Sequence, residues 1–386
     1  MESLDEITGL NVMPPNTGSE TPIQRRRLLL TAAGAAIARP LTTARATDSV
    51  ESVTITPALI DAAKREGTVV VRYSSPVDEM TQMAGAFEAK FGIKVQVDRK
   101  VGVVGTQQFA TEERVGRHVM DVNYSADPAG MSDLAEEGLY LRFTLPDALP
   151  LLDKGAYIPE LGYCPKWTEI VISYNPDHIP MAQAREQFKT WHGLLDPKLK
   201  GKIGLNEPAG GGVPLATYLM FYRLPQYGRD FVAKLGEQKP RLYPGSAQGR
   251  EDLAAGAISV YVPNWESIAM ITFLKGDRTQ WTYPEIAPAF ANTYLCISRH
   301  APHPAAARLF CAWFFTPEGA RTMELAQAKP TLRGIPDERT AVAKLKQTDW
   351  WRPYPEQIRW VPDTNDWVKN SEDLIPDMRD ALGWQR

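Results

Sequence analysis

Between Thr68 and Gly138 one unit repeats three times: a β-branched run, a polar cap, then a helix-spaced stretch. TVVVRY (Thr68–Tyr73) leads into Ser74-Ser75-Pro76 and a segment with Met80, Met83, Phe87 and Phe91 on one helical face. Ile93–Val97 leads into a glycine-containing turn, Gly102–Gln107, and a helix carrying Phe109 and Val115. VMDVNY (Val119–Tyr124) leads into Ser125–Pro128 and a helix through Gly138. Continuous apolar strands alternating with helices predict an α/β lobe whose parallel sheet is covered on both faces. In such a sheet every strand ends on the same edge, and ligands bind there. Ser74, Ser75, Thr106, Ser125 and Asp127 fall on that edge. Each alone reads as a helix N-cap; together on one edge they predict a cleft.

Upstream, TPALIDAAKRE (Thr56–Glu66) predicts a helix capped by Thr56, begun by Pro57 and stopped by Gly67. Before it, residues 1–24 read as a disordered leader. Arg25-Arg26-Arg27, the apolar run Leu28–Ala38 and Ala44-Arg45-Ala46 then form a basic region, a short hydrophobic region and an A-x-A cleavage site. The apolar run is too short to span a bilayer. The adjacent arginines resemble a twin-arginine export signal. The expectation is an exported, periplasmic, soluble chain that begins near Thr47.

Residues 140–167 read as a linker, and Glu169–Tyr174 (EIVISY) as a strand ended by Asn175-Pro176. Lys202–Leu205 is a further strand, followed by the loop Glu207–Gly212 with Gly210, Gly211 and Gly212 in succession. Pro214 suits a helix start, so bare amides at that helix N-terminus form a candidate anion seat. The loop lacks the Gly-Lys-Ser/Thr of a P-loop and the GxGxxG dinucleotide fingerprint, and a plain strand-to-helix connector is the competing reading. Residues 215–235 read as helical, and Pro244–Gln248 cap a helix over Gly249–Ala255. AISVYVP (Ala257–Pro263) reads as a strand delivering Asn264, Trp265 and Glu266 to its end. Ile286–Ile297 predicts one strand returning to the first lobe, Pro302–Phe315 a helix, and the chain from about Lys344 further helices wrapping the outside.

Composition excludes several classes. With 386 residues, 44% hydrophobic content and net charge −3, the chain has material for ordinary globular burial but no basic field for nucleic acid. Three cysteines, Cys164, Cys296 and Cys311, form neither a disulfide framework nor a CxxC metal site and are expected as buried thiols. HExxH, GxSxG and paired zinc-ligand spacings are absent. His300 and His303 sit among prolines in a loop. Asp127 and Glu266 could act as an acid/base pair across a cleft, or could hold a cation, an amine or hydroxyls. Trp265 could stack on a ligand or pack.

Six stretches resemble family 1 extracellular solute-binding proteins of ABC importers, the group that includes ferric-iron, thiamine, phosphonate and sugar-phosphate binders. They are Ala58–Ser75, Asp121–Tyr140, Glu169–Pro180, Thr190–Leu205, Asp252–Val262 and His303–Arg321, in the family's order. The resemblance implies the type II periplasmic binding fold: two α/β lobes joined by two crossover strands, Glu169–Asn175 outward and Asn292–Ile297 back. Lobe 1 would comprise residues 47–168 plus 292–335 and lobe 2 residues 169–291. Residues 336–386 would pack on the lobes as helices, and residues 1–46 would be leader. The resemblance further implies a monomer that closes on a small solute and delivers it to an inner-membrane permease and ATPase, without catalysis or cofactor. Ferric binders of this group place two adjacent tyrosines after the strand that here ends at Val262. This chain has Asn264-Trp265-Glu266 instead, leaving Glu266 as the lone candidate iron ligand. The glycine loop with Ser74, Thr106 and Ser125 favours an organic oxyanion, Trp265 supplying an apolar face. An enzyme on the same fold, using Asp127, Glu266 or Cys164, and a sensor-side binding protein are the alternatives.

Overall fold

The computed structural model describes residues 49–74, 77–100, 102–153, 155–208, 212–290, 293–351, 359–361 and 372–384. The leader, Ser75, Gly210, Gly211 and Asn292 lie outside the described residues.

Two sheets organise the chain. The first runs Lys94–Arg99, Thr68–Tyr73, Val122–Ser125, Tyr294–Ile297, Gly162–Tyr163, Tyr157–Ile158. Thr68–Tyr73 is parallel to both neighbours, and Tyr294–Ile297 lies antiparallel against Val122–Ser125. The alternation of side chains along a strand explains the two cores. Val69, Val71 and Tyr73 face Met83 and Phe87 of the helix Val77–Phe91 and Leu309, Phe310 and Trp313 of the helix Pro304–Trp313. Val70, Tyr294 and Cys296 face Phe109 and Met131 on the other side. Upstream, Thr56 accepts the Leu59 amide at 3.1 Å and Gly67 closes the helix Pro57–Glu66 at φ 72°.

One expectation in this lobe fails. Gly102–Gln107 is not a turn; it is the first half of the helix Gly102–Arg114. The Thr106 hydroxyl bonds back to the Gly102 carbonyl at 3.2 Å, so it is satisfied inside the helix. Gly105 serves close packing: a Cβ there would stand 3.1 Å from the Lys100 side chain.

The second sheet runs Arg241–Tyr243, Ile203–Asn206, Val260–Trp265, Thr168–Tyr174, Ile286–Phe290, Arg359–Val361, with Gln280–Thr282 also paired to Thr168–Tyr174. The first three are mutually parallel, so their C-terminal ends share an edge. Thr168–Tyr174 is antiparallel to its neighbours and buried along its whole length. The expected helix over residues 215–235 is two helices, Gly212–Arg223 and Gly228–Glu237. Pro225 cannot continue the first, and Gly228 at φ 68° redirects the chain into the second.

The sheets communicate through two connections. Residues 164–167 run from Gly162–Tyr163 to Thr168–Tyr174, flanked by residues 329–331: the Trp167 amide donates to Lys329 O at 2.9 Å and the Thr331 amide to Pro165 O at 3.0 Å. The expected single return strand Ile286–Ile297 is two: Ile286–Phe290 belongs to the second sheet and Tyr294–Ile297 to the first. The tail is not purely helical, since Arg359–Val361 adds a strand beside Ile286–Phe290. Thr340–Leu345 packs on Glu266–Leu274, and Met378 and Leu382 of Ile375–Leu382 enter the core beside Phe231 and Leu235. All three cysteines are buried free thiols. Among the described residues no helix is long and apolar enough to cross a membrane.

Candidate functional site

A cleft of about 720 Å³ opens between the two sheets. Ser74, Glu79 and Ala126 line it from the first lobe, Lys166, Thr168 and Thr293 from the connections, and Ser246, Arg250, Trp265 and Ile268 from the second. The topology dictates this position. Ser74 follows Thr68–Tyr73, Ala126 follows Val122–Ser125, and Trp265 ends Val260–Trp265, all at strand C-termini.

Arg250 is the distinctive charge. It stands one turn into the helix Ser246–Ala254, four residues after Ser246, so both side chains lie on the cleft face. The N-cap of that helix is Gly245, which has no side chain to occupy the first-turn amides. Gly249 sets the helix height, because a Cβ there would overlap the Tyr261 ring. The Tyr261 hydroxyl is anchored on the Asn206 amide oxygen at 2.5 Å. The guanidinium makes no hydrogen bond or ion pair to the described residues, and burial lowers its pKa. A cation losing hydration without an internal partner favours an anion beside it. Trp265, Ile268, Ile271 and Leu274 supply an apolar wall next to it. Across the cleft Lys166 is ion-paired with Glu79, so that charge is already answered.

The residues expected at the site divide. Ser74 lines the cleft, its hydroxyl accepting the Ala126 amide at 2.9 Å. Trp265 lines it too. Asp127 caps the helix Pro128–Glu136, accepting the Gly130 amide at 3.2 Å. Thr106 and Ser125 are buried beneath the edge, 3.4 Å apart, both directed at the Gly102 carbonyl. Asn264 is buried, donating to the Ser173 hydroxyl at 2.8 Å. Gly212 is the first residue of its helix. Its loop neighbour Glu207 is ion-paired with Arg379.

Glu266 turns away from Trp265 into the protein. It is fully buried, accepts from Arg339 at 2.9 Å and receives the Tyr283 hydroxyl. This placement corrects Glu266 as a cleft acid, amine partner or iron ligand: a carboxylate already neutralised by an arginine inside the protein does not face a solute. Glu169 belongs to the same buried group, and burial, reinforced by the charge of Glu266, raises its pKa despite Arg339 and Lys329. Arg339 also chelates Asp337 at 2.9 and 2.8 Å. Cys164 is buried and donates to Lys166 O at 3.0 Å, which gives it no role as an exposed nucleophile.

Glu79, Lys166, Ser246 and Arg250 were missed from sequence. Only Ser246 and Arg250 carried a readable signal, i and i+4 spacing at the start of a helix that follows a parallel strand.

The sequence matches bacterial extracellular solute-binding proteins over residues 82–366. No curated protein matches it. Solved structures of similar fold include iron-bound HitA from Pseudomonas aeruginosa, with 18% identity, TM-score 0.64, and coverage of 81% of this chain and 99% of that one. AfuA from Actinobacillus pleuropneumoniae, with fructose-6-phosphate bound, has 19% identity, TM-score 0.62, and coverage of 83% and 99%. An ABC-transporter substrate-binding protein from Agrobacterium tumefaciens has 17% identity, TM-score 0.63, and coverage of 82% and 94%. The two-lobed architecture is that of type II periplasmic binding proteins. With the family match extending over more than half its length, the chain belongs to the bacterial extracellular solute-binding protein family.

Proposed function

We propose that this protein captures a small organic anion between its lobes and delivers it to an ABC permease and its ATPase, without catalysis. The observation that carries the reading is Arg250, a half-buried guanidinium without a partner among the described residues, beside a Gly-capped helix start and the Trp265 wall. A phosphate ester, phosphonate or carboxylate fits the cation and the amides, and its organic part fits the apolar wall. From the sequence alone, the Gly210–Gly212 amides and the Ser75 hydroxyl remain further candidates for the anion. Of Ser74, Thr106 and Ser125, only Ser74 lines the cleft, since Thr106 and Ser125 are engaged beneath it. The basic, apolar leader would direct export, and the twin-arginine route is tested by replacing Arg26-Arg27 with lysines and following secretion.

Ferric iron is the second reading, favoured by neighbours such as iron-bound HitA. It is weakened here by Asn264-Trp265 in place of paired tyrosines and by the internal ion pair of Glu266. A thermal-shift screen of sugar phosphates, phosphonates, thiamine, polyamines and ferric citrate separates the two. An organic phosphate or phosphonate should raise the melting temperature. A rise with ferric citrate alone would replace this reading with iron transport.

A further inference from the structure

At the opposite end of the first lobe, where its parallel strands begin, Glu113, His118 and His300 converge. We infer that these three side chains form a binding site for a divalent transition metal, with zinc the best fit, separate from the solute cleft. The Nδ1 atoms of His118 and His300 lie 2.8 and 3.1 Å from the same carboxylate oxygen, Oε2 of Glu113. One ligand atom from each residue lies within 4.8 Å of the others.

The local chain builds this convergence. Glu113 stands in the last turn of the helix Gly102–Arg114, and Gly116 at φ 74° folds His118 back beneath it. His300 arrives from the loop after Tyr294–Ile297. Ser298 fixes both partners: its hydroxyl donates to Oε1 of Glu113 at 3.2 Å and accepts the His300 amide at 3.2 Å. Oε1 is thereby anchored and Oε2 left for the histidines, the outer-shell arrangement that orients metal-ligating carboxylates.

Electrostatics favours a cation. The Glu113 side chain is 1% exposed and sits at the negative end of its helix, and among the described residues it meets the Ser298 hydroxyl and the two imidazoles. The two imidazole rings converge on it side by side, their centroids 4.3 Å apart. A divalent ion held by the two imidazoles and the carboxylate would answer the buried negative charge. Tetrahedral zinc asks for neighbouring ligands roughly 3.3 Å apart, a small opening from the contacts present. The imidazole side chains are 33% and 48% exposed, which leaves an entry path and room for water at the fourth position. Each ring would coordinate through Nδ1 in the tautomer that carries its proton on Nε2.

The test is calorimetric titration of tag-free, chelator-treated mature protein with zinc chloride, paired with thermal melts. One equivalent should bind with micromolar affinity. His118→Ala and His300→Ala should each weaken binding at least tenfold while the metal-free melting temperature and the solute response of the cleft stay in place. His300→Gln, at the more exposed ring, guards against a folding defect in the alanine variants. Absence of binding at 100 μM zinc, or binding unchanged in the His118→Ala/His300→Ala double variant, would overturn the assignment.

Discussion

Arg339 and Arg250 are both withdrawn from bulk water, and they differ in what answers their charge. Arg339 is 1% exposed and bonded to Glu266, to both oxygens of Asp337 and to the Gln327 carbonyl. Arg250 lines the cleft with no hydrogen bond to the described residues. A guanidinium with its donors filled holds elements together: Arg339 ties the chain after the 329–331 segment to the helix Glu266–Leu274 of the second lobe. One with open donors beside a void is a recognition group. Trp265 and Glu266 repeat the contrast at adjacent positions, the first facing the cleft and the second facing Arg339.

The contrast is tested hardest at Arg339. Arg339→Met strands Glu266 without its cation and should cost about 3–5 kcal/mol in urea unfolding. A loss below about 1 kcal/mol would remove the structural role assigned to this arginine. Trp265→Ala should weaken solute binding about tenfold, near 1.4 kcal/mol, with little change in stability. Loss of stability without loss of affinity would make Trp265 a packing residue.

The buried group also predicts a pH dependence. Glu169 has its pKa raised, to about 7, so the folded state holds its proton more tightly than the unfolded chain. Its contribution to stability is fully present below the ordinary carboxylate value and is lost as pH rises through about 7. Glu169→Gln should flatten this decline, gaining on the wild type between pH 5 and pH 8 in urea midpoints. Parallel midpoint curves would show that Glu169 is not the group responsible. The smallest effect is expected at Asp127→Ala, about 1 kcal/mol for a lost helix cap, with solute affinity unchanged. A fall in affinity there would return Asp127 to the cleft.

Much of the fold was legible because it is written locally. Alternating strand and helix patterns, Thr56, Gly67 and the Asp127 cap are signals within a few residues of one another. So was the edge that carries the cleft, since parallel strands end together. The failures have non-local causes. Thr106 was read as an edge residue because glycines flank it, and of these Gly105 serves close packing against Lys100. Glu266 looked like a cleft acid because it follows Trp265, a cleft residue, at the end of the strand; its partner Arg339 is 73 residues away. The Glu79–Lys166 pair spans 87 residues. Arg250 could be anticipated only once its helix was known to begin at Ser246, on the cleft edge.

The central claim is that Arg250 is kept open for an anion, and one paired measurement tests it directly. The solute found by thermal shift is titrated into wild type and Arg250→Gln, with urea unfolding of both proteins alongside. The account predicts at least a tenfold loss of affinity with stability unchanged within about 0.5 kcal/mol. Equal affinity in the two proteins, or a loss of affinity matched by a loss of fold stability, would contradict it.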